Sequence, residues 1–296
     1  MPTRSLPPEG LSELVEAYAN TAQAVLDLGL TCRPEDFDRE TQAPGWTVKD
    51  HISHVVGVES ALAGNPDPEV EVPDHPWIRH EMGRFLEQSV QLRRDRPGSE
   101  VVNEWKHVLP RRLRALRDPE LTIDTEVAGP LGDGSTTLGE LLRLRIIDIW
   151  VHEQDLREAL DRPGNLDSPA AAEFVARVLR GFPRRAALAG LEPGTSVIIE
   201  STGPVLAREG VRITPKSDGS VWGEPLFSGQ AHVDETDETT GEVIVVPPGS
   251  ITTIRLTTEA LTRRGAGRVP TAQLRYSVEG DEDVAARVLD ELAITP

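Results

Sequence analysis

The sequence predicts an α+β protein of two domains, a helical bundle over residues 1–165 followed by a small α/β domain with a short mixed sheet over residues 166–296. Three observations carry this expectation. A chain of 296 residues is long for a single core. Apolar residues in the first half recur at helical spacing with no credible strand among them. The second half instead holds short β-branched runs bounded by Gly and Pro.

Residues 9–30 place Leu11, Leu14, Val15, Tyr18, Ala22, Val25 and Leu26 on one stripe that stops near Gly29, which predicts a first helix. PGWTVKDHISHVVGVESALAG opens with Pro44 and Gly45, pairs Thr47 with Asp50 as a capping box, and runs as a second helix to Gly64. NPDPEVEVPDHP is a Pro-rich acidic loop. Helical patterns follow from about Trp77 to Arg94, from about Ser99 to Leu116, and from Thr136 to Leu160, where DRPG stops the helix. Four or five such helices make a bundle.

In the second half, SPAAAEFVARVLRGFPRRAAL reads as a linking helix. TSVIIES, GVRITP, GEVIVVP and TAQLRYSVEG read as strands. SITTIRLTTEALTRR and DEDVAARVLDEL have helical spacing, and SGQAHVDETDETTGE reads as an exposed acidic loop.

Charge and composition exclude several classes. A net charge of −18 with scattered arginines disfavours nucleic acid as a partner. The longest apolar runs fall far short of the roughly 20 residues a membrane span requires, and MPTRSLPPEG lacks the features of a signal peptide, so a cytoplasmic location is expected. The single cysteine, Cys32, can form no internal disulfide and has no evident activating neighbour; it is expected to be half-buried and inert.

Chemistry concentrates in IIDIWVHEQDLREAL. Asp148 and His152 are four residues apart and share a helix face with Leu141, Arg145 and Asp155, amid Ile146, Ile147, Ile149, Trp150 and Val151. The second helix adds His51, one turn from its capped end, and His54, deeper in its apolar run. A carboxylate and two imidazoles converging inside a bundle would hold a metal and leave a coordination position open. Ligand type suits zinc first, with iron, nickel or manganese as options. The alternative is a satisfied polar core layer in which Arg145 or Arg157 holds Asp148. His51 is expected on the surface of the first turn, and Glu153 and Asp155 in solvent or supporting a ligand histidine. Trp46 and Trp150 are expected in the core, with lining of the site as the alternative for each. His75, His80, His107 and His232 carry no functional expectation.

APGWTVKDHISHVVGVE, RIIDIWVHEQDLREAL and the closing VEGDEDVAARVLDELAITP together resemble the mycothiol-dependent maleylpyruvate isomerase family, over nearly the whole chain. The resemblance implies a DinB-like metal-binding four-helix bundle followed by a small α/β domain. It implies metal ligands His54, Asp148 and His152, with Asp148 standing where members carry Glu, a shorter arm that alters coordination geometry. It also implies mycothiol as thiol cosubstrate, which removes the need for a protein cysteine, and a C-terminal arginine for an anionic substrate, with Arg263, Arg264 and Arg268 as candidates. The function expected is a metal-dependent transferase or isomerase that uses this thiol on a small electrophile, as a monomer or homodimer. The rival expectation is a non-catalytic protein of the same superfamily that binds metal or a small ligand.

Overall fold

The structure, a computed structural model, describes residues 5–129, 134–227 and 249–295. The run GEVIVVP, the acidic loop SGQAHVDETDETTGE and His232 lie outside the described residues. The described chain divides into two compact units, one of Pro7–Glu173 and one that joins residues 5–6 to the segment from Phe174 onward.

The first unit contains α1 (Leu11–Leu30), α2 (Val48–Leu62), α3 (Glu81–Gln91), α4 (Gly98–Leu116) and α5 (Leu138–Ala159). Helix α1 packs on α5 and α4, and α2 packs on the same two, so these four close a ring, with α3 laid against α2. The ring closes around residues spaced three or four apart: Leu14, Tyr18, Ala22 and Val25 from α1, Ile52, Val55 and Val56 from α2, Val101 and Trp105 from α4, and Leu142, Ile146 and Ile149 from α5. The capping box starts α2 as its sequence indicates: Thr47 accepts from the Asp50 amide, while Asp50 accepts from the Thr47 amide at 2.9 Å. That fixes the phase of the helix one turn before His51.

Two departures from the sequence reading occur here. The first half does contain strands, the pair β1 (Glu126–Ala128) and β2 (Ser135–Thr137), which lead directly into α5. They are three residues each, too short for a period-two pattern to register. Helix α3 is also shorter than the span from Trp77 to Arg94, because His80 caps its start by accepting from the Gly83 amide.

The second unit begins within α6 (Pro169–Leu188) and holds β3 (Ser196–Thr202), β4 (Leu206–Pro215), β5 (Val221–Pro225), β6 (Ile251–Leu256), α7 (Thr258–Gly265), β7 (Ser277–Glu279) and α8 (Glu282–Asp290). The strand order is β5-β4-β3-β6-β7, with β3 and β6 parallel and the other neighbours antiparallel, a mixed sheet. Val197, Ile198 and Ile199 of central β3 are all buried, the mark of a strand covered on both faces. SITTIRL, expected as helix, is strand β6; only TEALTRRG is helical, starting where the Thr257 hydroxyl accepts from the Ala260 amide. Its β-branched residues pair on both edges, an override of local spacing by tertiary context. Most of TAQLRYSVEG is a short 3-10 turn and loop, and only Ser277–Glu279 is strand.

A candidate metal centre in the helical unit

Helix α5 has two buried faces. One is apolar. The other carries Arg145, Asp148, His152 and Asp155, spaced three, four and three, so they form one stripe along the helix. Opposite it, α2 contributes His51, His54 and, two turns beyond His51, Glu59. The apolar residues between these positions sink both helices into the unit and carry the polar stripe with them.

At the centre, His54 Nε2 lies 3.4 Å from Asp148 Oδ2, and His152 Nε2 lies 3.7 Å from Asp148 Oδ1. The donor atoms of the three side chains all fall within 4.8 Å of one another. Tetrahedral bonds of about 2.1 Å would set neighbouring donors roughly 3.4 Å apart. The spacing and the nitrogen and oxygen chemistry of this set therefore fit a divalent ion. His54 and His152 are buried, whereas the Asp148 side chain is 32 % exposed, so access to the cluster is from its carboxylate side.

Charge around the cluster is arranged by a second group of residues. Arg145 donates to Asp148 Oδ2 at 2.9 Å and to Glu59 Oε1 at 2.7 Å. Glu59, fully buried, also accepts from Tyr18 Oη at 2.7 Å and Arg112 Nε at 2.9 Å. Burial alone would raise the Asp148 and Glu59 carboxyls. The arginines outweigh it, with the two histidines acting on Asp148 and the Tyr18 hydroxyl on Glu59, and both groups stay below their ordinary values, Asp148 well below. Arg145 engages Oδ2 of Asp148, which leaves Oδ1 the oxygen better placed toward His152. The two readings of Asp148, ion-paired to Arg145 and grouped with the histidines, thus describe one arrangement. Burial lowers the His54 pKa despite the pull of Asp148. For His152, Asp148 and Asp155 outweigh burial and raise it.

The expectations for His51 and Glu153 are corrected, while Asp155 and Trp46 take the alternative place open to each, beside the histidines. His51 is completely buried, because the loop that leads into α2 folds over it: Thr41 Oγ1 lies 2.8 Å from His51 Nε2. Glu153 and Asp155 are buried too. Glu153 receives Thr21, Arg157 and Asn165, and Asp155 Oδ2 sits 3.6 Å from His51 Nδ1 and 3.7 Å from His152 Nδ1. Trp46 is part of the site: its ring lies 5.2, 5.3 and 5.7 Å from the rings of His51, His54 and His152. Its indole N–H donates to the buried Glu87 at 2.9 Å. Gly45 makes this placement possible, since it has φ +77° and a Cβ there would lie 2.3 Å from the Trp77 ring. Trp150, by contrast, packs in the core and donates to Asn165 O.

Sequence reasoning missed Glu59, Arg112 and Tyr18, and it left Arg145 only as a potential partner of Asp148. The spacing of Arg145, Asp148, His152 and Asp155 was the available signal, because a charged stripe of that length on an otherwise apolar helix needs buried partners.

The C-terminal arginines sit in the second unit. Arg264 donates to Leu289 O and Asp290 O, both at 2.6 Å, and so ties down the end of α8. Arg263 is buried in α7, and Arg268 donates to Ala266 O at 3.1 Å. Cys32 is half-buried, donates to Leu28 O, and has its thiol pKa pushed up by burial.

Fold and site together define a two-unit α+β protein whose helical unit gathers imidazole and carboxylate donors of the kind that hold a metal ion. Residues 18–157, most of the helical unit, match the family model described as the mycothiol maleylpyruvate isomerase N-terminal domain. Two solved structures are similar over 90 % of this chain and 92 % of theirs: the mycothiol-dependent maleylpyruvate isomerase and a variant of it with one histidine changed to alanine, each with a TM-score of 0.51 and 15 % identity. At that identity the likeness establishes the fold. No curated protein matches the chain.

Proposed function

We propose that this protein is a metal-dependent enzyme that uses mycothiol as the nucleophile for S-transfer to, or cis–trans isomerisation of, a small electrophilic substrate. The observation that carries the reading is the grouping of His54, Asp148 and His152 at ligand spacing, with the Asp148 carboxylate partly open to solvent. The family model that the helical unit matches and the isomerase named in the similar structures support the choice of thiol.

Within this reading His54, Asp148 and His152 hold a divalent ion, zinc by preference. Bound there, the ion would supply Lewis acidity that keeps a coordinated thiol deprotonated. Arg145 keeps Asp148 ionised and orients it. Trp46 walls one side of the histidine cluster and limits water. Cys32, with its raised pKa, is unsuited to act as a nucleophile, so the sulfur arrives with the cosubstrate. Addition of a thiolate to a cis double bond, rotation and elimination gives the trans isomer; retention of the adduct gives the transfer product. Arg263, Arg264 and Arg268 are the proposed source of an anion-binding contact, and the Arg264 guanidinium is already engaged by the carbonyls of Leu289 and Asp290. The enzyme would act in the cytoplasm, as a monomer or homodimer.

The test is elemental analysis of purified protein, followed by thiol consumption with mycothiol and either maleylpyruvate or a generic electrophile. About one divalent ion per chain and consumption that disappears in His54→Ala and His152→Ala are expected. Full metal content in both variants would remove the site assignment. Metal binding without thiol consumption would favour a metal-binding protein that lacks the chemistry.

A further inference from the structure

The side of His152 that faces away from Asp148 meets a second imidazole. His152 Nδ1 lies 2.8 Å from His51 Nδ1, and His51 Nε2 lies 2.8 Å from Thr41 Oγ1. We infer that Thr41 and His51 are positioning residues that lock His152 in the tautomer with its proton on Nδ1, leaving the Nε2 lone pair directed at the metal position. The inference rests on the proposed metal reading for its functional meaning.

The argument follows from counting protons. Two ring nitrogens 2.8 Å apart share one hydrogen, because two N–H groups cannot face each other there and two bare lone pairs would repel. Either His51 or His152 is the donor. Thr41 decides which. Its hydroxyl has one hydrogen, and the Trp46 carbonyl, 2.9 Å away, can only accept it. Thr41 Oγ1 is then an acceptor toward its other neighbours, the Ala43 amide at 3.2 Å and His51 Nε2 at 2.8 Å. His51 therefore carries its proton on Nε2, and in its neutral form presents a bare Nδ1. The hydrogen between the rings belongs to His152 Nδ1. A neutral imidazole protonated there is unprotonated at Nε2, the nitrogen 3.7 Å from Asp148 Oδ1. Asp155 Oδ2, fully buried, lies 3.6 Å from His51 Nδ1 and 3.7 Å from His152 Nδ1, so its charge favours a proton between the two rings without choosing its owner, and Thr41 makes that choice.

Metal-bound histidines generally donate their second ring N–H to a carboxylate, carbonyl or water, which fixes ring and tautomer. Here that acceptor is another histidine, itself held by the loop that leads into α2. The arrangement also explains why an imidazole is tolerated fully buried at position 51: a neutral His51 can accept at one nitrogen and donate at the other.

The test uses the full chain with selectively ¹⁵N-labelled histidine, stripped of metal and held above neutral pH. Long-range proton–nitrogen correlation should show His152 protonated on Nδ1 and His51 on Nε2. His152 found protonated on Nε2 overturns the inference whatever the metal does. In parallel, Zn²⁺ affinity is measured by competition with a chelating dye. His51→Leu should bind about 10- to 100-fold more weakly than the unsubstituted chain, as losses of outer-shell partners do. His51→Asn, whose side-chain oxygen can replace Nδ1 as acceptor, should restore most of the affinity. Thr41→Val, a milder change, should weaken binding and populate the other tautomer, and Thr41→Ser should restore both. Equal Zn²⁺ affinity in His51→Leu, His51→Asn and the unsubstituted chain would refute the positioning role. If the unsubstituted chain bound no divalent ion while His152 stayed protonated on Nδ1, the metal reading would fall and the tautomer assignment would hold.

Discussion

Replacing Glu59 by Gln is the sharpest perturbation of the charge network behind the site. Glu59 is completely buried, and three donors converge on its two oxygens: Arg145 on Oε1, Tyr18 and Arg112 on Oε2. With the partly exposed Asp148 it forms a set of two carboxylates and two guanidiniums, neutral as a whole. Gln keeps the shape, but it removes one negative charge and turns one acceptor into an NH₂ that must face a donor. The set has no slack to absorb this, since Arg145 Nη2 and Arg112 Nη2 are already buried without hydrogen-bond partners among the described residues. Removing one partner from a buried ion pair typically costs about 3–5 kcal/mol. For a unit of this size each kcal/mol lowers Tm by roughly 2–4 °C. The expected fall is therefore about 6–20 °C in the melting transition of metal-free protein, followed by circular dichroism or calorimetry. Arg145 would also lose one of the two anchors that aim it at Asp148, so Zn²⁺ affinity should fall with the stability. A Tm within about 2 °C of the unsubstituted chain would refute the claim that this network is held by charge compensation.

Glu59 and Asp148, with pKa values lowered in the folded state, contribute stability that is fully present above the ordinary carboxylate range near pH 4 and is lost as pH falls through the lowered values. Acid titration of metal-free protein should therefore show its unfolding below about pH 4, and Glu59→Gln should flatten that dependence. His152, with a raised pKa, must lose its proton to act as a ligand, so Zn²⁺ affinity should rise with pH through and above about 6.5, a trend that isothermal titration at several pH values would expose. In the second unit, Arg264→Ala removes two charged donors from the carbonyls of Leu289 and Asp290. A loss of about 2–4 kcal/mol in denaturant unfolding is expected, and no measurable loss would show that the end of α8 needs no such tie. Gly223→Ala should destabilise the same unit, because a Cβ there would sit 2.2 Å from the Pro183 carbonyl of α6; an unchanged Tm would contradict that contact.

Legibility from sequence differed sharply between features. The start of α2 was visible because Thr47 and Asp50 act on each other across one turn, and such local chemistry needs no knowledge of the rest of the chain. The stripe on α5 was visible for the same reason, since helical spacing alone puts Asp148 and His152 on one face. β6 was misread because ITTIRL followed by TEALTRR mixes β-branched residues with a helical period, and only pairing with β3 and β7 selects between them. His51 was misplaced because nothing within one helical turn reveals that residues 41–46 fold back over it.

The sequence by itself determined the class of fold, the helices that carry the site and the set of side chains from which a metal centre could be drawn. It could do so because periodicity and capping are short-range. Only the tertiary structure decided how those side chains are used. It made Asp148 at once the partner of Arg145 and the neighbour of two histidines, turned Glu59 into a buried counter-charge, and set His51 against His152. Burial and proton sharing depend on which distant segments meet, and no spacing along one helix records that.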